Sequence, residues 1–406
     1  MDRLENTVRP YAWGSTTALP ELLGTPPTGE PQAELWMGAH PGAPSRVERA
    51  TGTVSLLDAV SADPEGELGE RTVRAFGPRL PFLLKLLAAA SPLSLQVHPD
   101  LAQAAEGYAD EEERGVPLDA PHRNYKDTNH KPELICALTP FDGLCGFRAA
   151  DDAAALLDGL DVGGLKPYVD ILHARPESDA LREVLSAVLT ADKDEMAETV
   201  AQATAAAERL AEEEPSGTLT AGRIAEYAVY AGIARHYPGD PGVIAAMLLN
   251  HVHLRPGEAL FLGAGVPHAY LDGLGVEIMA NSDNVLRCGL TPKHVDVPEL
   301  LRIVRFEPTE PAILRPEADS DEEELYETPV DEFRLSRYVL APGAGSHPLD
   351  AGAPQILLCT AGQAVLRDTD NGAELTLDRG GSAFVPAGER VHVSGDGTLF
   401  RATVAV

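Results

Sequence analysis

Residues 257–271 read GEALFLGAGVPHAYL: a glycine, an apolar run, a Gly-rich turn and then a histidine. Residues 381–394, GSAFVPAGERVHVS, repeat the pattern, so that His268 and His392 each stand eleven positions after the opening glycine. Two copies of one strand-turn-strand unit imply two β-rolls, the jelly-roll architecture in which paired sheets enclose a pocket. The copies are not equivalent. Upstream of the first stands LSLQVHPD (93–100), whose Gln-x-His has no counterpart near ILLCTAGQAVL (356–366). The second roll is read as a packing copy, with His392 a structural residue.

In an extended strand successive side chains alternate faces, so Ser94, Gln96 and His98 project together while Leu93, Leu95 and Val97 face the other way. One face is oily and the other can hold something. Two further residues are unexpected in a packed core: Glu133 inside NHKPELICAL (129–138), and His268 directly after a Gly-Val-Pro turn. A buried unpaired carboxylate is costly, so Glu133 wants a cation. Gln96, His98, Glu133 and His268 are therefore candidate ligands of one divalent ion, supplied from inward-facing strand positions.

The whole chain bounds this reading. At 406 residues it is too long for a single ordinary core, and two or three domains are expected. Lys and Arg number 32 against 63 Asp and Glu, and the net charge of -31 argues against nucleic acid or an anionic membrane as partner. An anionic small substrate is compatible if a pocket concentrates positive charge. The start, MDRLENTVRPYAWG, carries no basic segment followed by an apolar one, and no run reaches membrane-spanning length, so a cytoplasmic protein is expected. Cys136, Cys145, Cys288 and Cys359 show no C-x-x-C spacing and read as reduced core thiols, which leaves nitrogen and oxygen to any metal.

Composition divides the chain. Residues 1–150 and 251–310 read as strands and turns forming the first roll, residues 151–250 as a helical insertion rich in Ala, Leu and Glu, and residues 311–406 as the second, degenerate roll. The fold expected is mainly β with an α-helical insertion. The acidic run EADSDEEELYE (317–327) reads as a solvated linker or surface face.

Lysine is sparse: the chain has Lys85, Lys126, Lys131, Lys166, Lys193 and Lys293. Lys85, Lys131 and Lys293 lie in the segments already singled out. Lys85 interrupts PFLLKLL (81–87), for which an outward lysine on an edge strand is the competing account. Lys131 shares strand parity with Glu133, which lets its amine lie beside the metal carboxylate. A lysine near a cation and partly desolvated suits proton transfer near neutrality. Other histidines read as decoys: His251 and His253 at the end of the helical block, His122 and His130 flanking PHRNYKDTNH (121–130), and His40 shaping the Pro-Gly turn of WMGAHPGAPS (36–45).

YAWG (11–14), AELWMGAHPGAPS (33–45), LPFLLKLLAAASPLSLQVHPD (80–100), NHKPELICAL (129–138) and VPHAYLDGLGVEIMANSDNVLRCGLTPKHVDV (266–297) resemble, in order, the motifs of type I mannose-6-phosphate isomerases, a family of the cupin superfamily. The resemblance implies one zinc ion per chain on Gln96, His98, Glu133 and His268. It implies Arg287 at the reacting end of the sugar, and Lys85, Ser94 and Lys293 holding the phosphate or positioning the substrate. It sets Trp13, Tyr270, Glu277 and Asp283 around the pocket. The activity implied is interconversion of mannose 6-phosphate and fructose 6-phosphate through a cis-enediolate, feeding mannose into glycolysis or supplying it for GDP-mannose and glycan synthesis. Lys131 is the first choice of proton carrier and Glu277 the second; His98, Asp283 and His130 are candidates to aid ring opening. A monomer is expected. The competing readings are a metal-dependent β-roll acting by oxygen chemistry or epimerisation, and a sugar-phosphate sensor without turnover.

Overall fold

Strand alternation is the organising fact of the molecule. The computed structural model describes residues 1–49, 52–216, 219–318 and 323–406, which build two antiparallel sheets, of ten and eleven strands, together with a block of helices. At the centre of the larger sheet the strand Phe82–Ala89 pairs with Glu34–Met37 on one side and with the long strand His268–Ala280 on the other. That long strand also pairs with Glu133–Ala137. Leu84, Leu86, Leu134, Cys136, Val276 and Ile278 point to one face and share a core with Ile356, Leu358, Phe384 and Phe400 of the smaller sheet. Lys85, Glu133 and Glu277, one residue out of step, point to the opposite face.

The repeat noted in the sequence becomes two matching strand-turn-strand units, one in each sheet. Ala259–Leu262 precedes His268–Ala280, and Ser382–Val385 precedes Val391–Thr403. The first long strand changes partners midway. A bulge between Tyr270 and Asp272, followed by Gly273 at φ 125°, redirects it from the neighbour Phe141–Phe147 to the pair Phe82–Ala89 and Glu133–Ala137. A side chain at Gly273 would lie 2.7 Å from the Phe141 ring.

Helices occupy most of 150–247, from Ala150–Asp158 to Gly242–Met247. In Glu177–Thr190 the buried positions Leu181, Val184, Leu185 and Val188 recur at helical spacing, and they pack with Met196, Val200 and Ala203 of Lys193–Ala211. Truncating Leu185 to Ala would cost about 2–5 kcal/mol at such a site. No described helix is long and apolar enough to cross a membrane.

The structure departs from the sequence reading in five places. Within residues 1–150, read as strands and turns, Leu101–Glu113 is a helix, whose N-terminus Asp100 and Gln103 close with a reciprocal capping box. Part of the acidic run, residues 319–322, lies outside the described residues; its remainder is no linker, because Glu323–Tyr326 is a strand paired with Arg334–Leu340. Arg401 and Arg337 neutralise Glu323 and Glu324 there. Asp2 and Arg3 pair with Phe384 and Ala383, so the N-terminal strand joins the smaller sheet rather than staying with the first roll. His251 and His253 lie in a strand, Leu249–Leu254, not at a helix end. Finally, Lys85 is on an interior strand and buried, which excludes the outward edge lysine.

Candidate metal centre and substrate cavity

Three segments distant in sequence meet on the polar face of the larger sheet. His268 is paired in register with Gln96, and Glu133 with Met279, which sets the start and end of the long strand beside the two other candidate segments. His98 Nε2 lies 3.5 Å from Glu133 Oε1, and His268 Nε2 lies 3.4 Å from Glu133 Oε2. The two imidazole centroids are 5.1 Å apart. Gln96, the cross-strand partner of His268, stands beside it in the sheet and lines the cavity above.

Backbone carbonyls orient both rings. His98 Nδ1 lies 2.8 Å from the Asn284 carbonyl oxygen and His268 Nδ1 3.0 Å from that of Val266. Each Nδ1 therefore carries the proton and each Nε2 offers a lone pair to the centre, the arrangement that metal-binding histidines need. Burial pushes the His98 imidazole down to about 4, overriding the attraction of Glu133, so the ring is neutral at physiological pH. Burial alone would raise the Glu133 carboxyl, but Lys131 and the two imidazoles outweigh it and hold it well below the usual carboxylate range. His98 Nε2 is fully buried without a hydrogen-bond partner. An orphaned lone pair beside a buried carboxylate and a second imidazole is the signature of a site shaped for a cation. His98, Glu133 and His268 are also the one such cluster among the described residues. With the Gln96 amide available, the donors are two nitrogens and two oxygens, without thiolate, a set that fits zinc.

A second buried network backs the first. Lys85 Nζ lies 3.0 Å from Glu277 Oε2 and 3.6 Å from Glu34 Oε1, and 5.4 Å above the Trp36 ring. Glu34 Oε2 accepts a 2.6 Å hydrogen bond from Trp36 Nε1. Burial would lower the Lys85 ammonium, yet Glu277, Glu34 and Glu133 together raise it above its ordinary value, and it stays charged. Burial raises the Glu277 carboxyl, with Lys85 opposing and the neighbouring carboxylates adding to the rise.

Above this face opens a cavity of about 480 Å³. Trp13, Trp36 and Tyr11 form an aromatic wall; Lys131, Arg287 and Lys293 bring positive charge; Ser94, Gln96 and Asp283 add polar groups. Gly14, next to Trp13, lies close against Ala33, whose Cα would be 2.5 Å from a side chain there. Arg287 is opposite Gln96 in register, which explains its place at the mouth. Tyr270 and Glu277 are not on the wall. Both are buried behind it, Glu277 tied to Lys85 and Tyr270 packed edge-on against Phe141.

One wall residue escaped the sequence reading. His40 does sit in its Pro-Gly turn, where Nδ1 accepts the Gly42 N–H at 3.0 Å, but Nε2 then faces Asp283 Oδ1 at 3.5 Å inside the cavity. The His40 contact, against the effect of burial, holds the Asp283 carboxyl below its usual value. Only the pocket reveals this, since the two residues are 243 positions apart. The other histidines are elsewhere: His251 and His253 both approach Asp142 Oδ1, at 2.8 and 3.0 Å, His130 contacts Glu332, and His392 lies 3.2 Å from Ser346 Oγ.

Two imidazoles and a carboxylate converging below a basic, aromatic-walled cavity define a metal-centred enzyme on an antiparallel β scaffold, with room for a small polar anion. Comparison with known proteins narrows the class. Residues 1–150 match the model of the phosphomannose isomerase type I catalytic domain. The mannose-6-phosphate isomerase of Salmonella typhimurium is 44% identical over 409 residues, covering 99% of both chains, and that of Escherichia coli is 42% identical with the same coverage. A mutant phosphomannose isomerase from Salmonella typhimurium superposes with a TM-score of 0.90 at 41% identity, covering 100% of both chains. A mannose 6-phosphate isomerase solved with zinc bound superposes at 0.89 and 41% identity, covering 100% of this chain and 99% of that one. The chain belongs to the type I phosphomannose isomerase family, the mannose-6-phosphate isomerases.

Proposed function

We propose that this chain interconverts mannose 6-phosphate and fructose 6-phosphate at one zinc ion held by Gln96, His98, Glu133 and His268. The observation that carries the reading is the buried His98–Glu133–His268 triangle with both Nε2 atoms turned inward, directly below a cavity lined by Lys131, Arg287 and Lys293. When bound, zinc supplies Lewis acidity toward the sugar oxygens.

The residues of the chain divide the remaining work. Lys293 and Ser94 hold the phosphate, and the walls of Trp13 and Trp36 exclude water. After ring opening, Lys131 in its amine form removes the proton from carbon 2. The C–H electron pair becomes the new carbon–carbon double bond, and the carbonyl oxygen takes up the negative charge of a cis-enediolate, which the Arg287 guanidinium stabilises. Transfer of the hydroxyl proton from O2 to O1 moves the negative charge to O2, and return of the Lys131 proton to carbon 1 as O2 forms the new carbonyl completes the aldose-to-ketose shift. Lys131 is preferred to Glu277 because it reaches the cavity wall, whereas Glu277 is buried and bonded to Lys85. Asp283, steadied by His40, is suited to accept the anomeric hydroxyl proton during ring opening. The two sheets fit a pair of cupin-type β-rolls, of which, among the described residues, the larger carries the ligand set. The mannose–fructose conversion would feed glycolysis in one direction and GDP-mannose and glycan synthesis in the other.

A coupled assay with mannose 6-phosphate tests the reading. Activity should vanish on chelation and return with zinc. Turnover that persists in metal-free protein would refute it.

A further inference from the structure

Two loops carry the groups proposed to hold the phosphate, and both are pinned by one turn of the helical block. The turn, Tyr237 to Gly242, joins helices Ala221–His236 and Gly242–Met247. Asp240 Oδ1 accepts the N–H groups of Gly242 at 2.7 Å and Leu290 at 3.1 Å, and Oδ2 accepts that of Thr291 at 3.1 Å. The contact is as close as backbones allow. A side chain on Gly242 would lie 2.3 Å from Leu290 N, and one on Gly289, itself at φ 121°, would lie 2.4 Å from Gly242 Cα. Leu290 is held at φ 54°, a left-handed conformation that a leucine adopts only when its surroundings impose it. Beyond this point Thr291 Oγ1 accepts the Lys293 N–H at 3.1 Å, and Leu290 through Lys293 line the cavity. The same turn reaches the other loop, where the Tyr237 hydroxyl donates to the Pro92 carbonyl at 2.7 Å, two residues before Ser94.

We propose that Asp240 is a positioning residue for phosphate recognition: it fixes the 288–293 loop in its strained form and so sets the Lys293 ammonium where the substrate phosphate docks. A carboxylate suits this task because it can accept N–H bonds from both its own turn and the opposing loop without needing a donor of its own. The helical insertion thereby takes part in substrate binding without its acidic side chain touching the substrate. The inference rests on the reading that Lys293 holds the phosphate.

The test uses zinc-loaded full-length protein, with inorganic phosphate as a competitive inhibitor. Asp240→Asn is near-isosteric and turns an N–H donor toward Thr291 N–H. It should raise the KM for mannose 6-phosphate and the inhibition constant of phosphate together, by about fivefold to tenfold for one disrupted bond to a buried loop. Turnover and zinc content should stay near wild type. Added to Lys293→Ala, the same change should have little further effect on the phosphate constant, because Asp240 acts through Lys293. Should Asp240→Ala fail to fold, Asp240→Asn alone decides. Unchanged phosphate inhibition in Asp240→Asn, or full multiplication of the two effects in the double variant, would overturn the proposal while leaving phosphate binding by Lys293 intact. If Lys293→Ala by itself leaves phosphate inhibition unchanged, the underlying reading fails first.

Discussion

Lys131 Nζ lies 3.1 Å from Glu133 Oε1, two residues along the same extended segment and on the same face. The proposed proton carrier thus shares a carboxylate with the metal centre, and its role can be separated from that of the ligands. Lys131→Ala should lower turnover by at least about a hundredfold, the usual worth of a positioned acid–base group, while zinc content stays near one per chain. Metal analysis alongside the coupled assay measures both, and normal turnover would remove Lys131 from this role.

Glu133→Gln attacks the centre itself. The change keeps the volume but removes the charge that offsets the cation, so zinc content and activity should fall together. Retention of stoichiometric zinc through dialysis would show that Glu133 is not a ligand.

The Lys85–Glu277 pair makes a stability prediction. Lys85→Met strands the buried carboxylates of Glu277 and Glu34 without their cation, and loss of one partner of such a network costs about 3–5 kcal/mol. Lys85→Met combined with Glu277→Gln should recover part of that loss in denaturant unfolding without recovering activity. Equal stability of the single and double variants would mean that the pair is not coupled.

Asp142 gives a pH signature remote from the site. Burial would raise its carboxyl, but hydrogen bonding with His251 and His253 outweighs this and holds it below the ordinary value. A carboxyl depressed in the folded state stabilises fully above its unfolded pKa of about 4, and the contribution disappears as pH falls through the lower folded value. The stability gap between wild type and Asp142→Asn should therefore be full at neutral pH and close only below about pH 4. A gap that stays constant through this range would contradict the assignment.

Much of this arrangement was legible in the chain because it depends on neighbours in sequence. The parity of Ser94, Gln96 and His98, the parity of Lys131 and Glu133, and the helical spacing of Leu181, Val184, Leu185 and Val188 all follow from the local repeat of strand or helix. The missed helix Leu101–Glu113 was also local, its signal being the Asp100–Gln103 cap. The roles of His40, Asp240 and Glu34 carried no such mark. An isolated histidine in a Pro-Gly turn looks the same whether it faces solvent or Asp283.

The sequence by itself determined which residues share a face, since side-chain direction follows from backbone period and needs no distant partner. Tertiary structure alone decided which faces meet. The pairings of His268 with Gln96, Met279 with Glu133 and Glu277 with Lys85 join positions well over a hundred residues apart. Such registers depend on burying the Leu84–Leu134–Val276 side of the sheet against the smaller sheet, a demand that arises only in the assembled fold. Once that apolar side is covered, pleat geometry turns the carboxylates, imidazoles and lysines to the other side, where they meet.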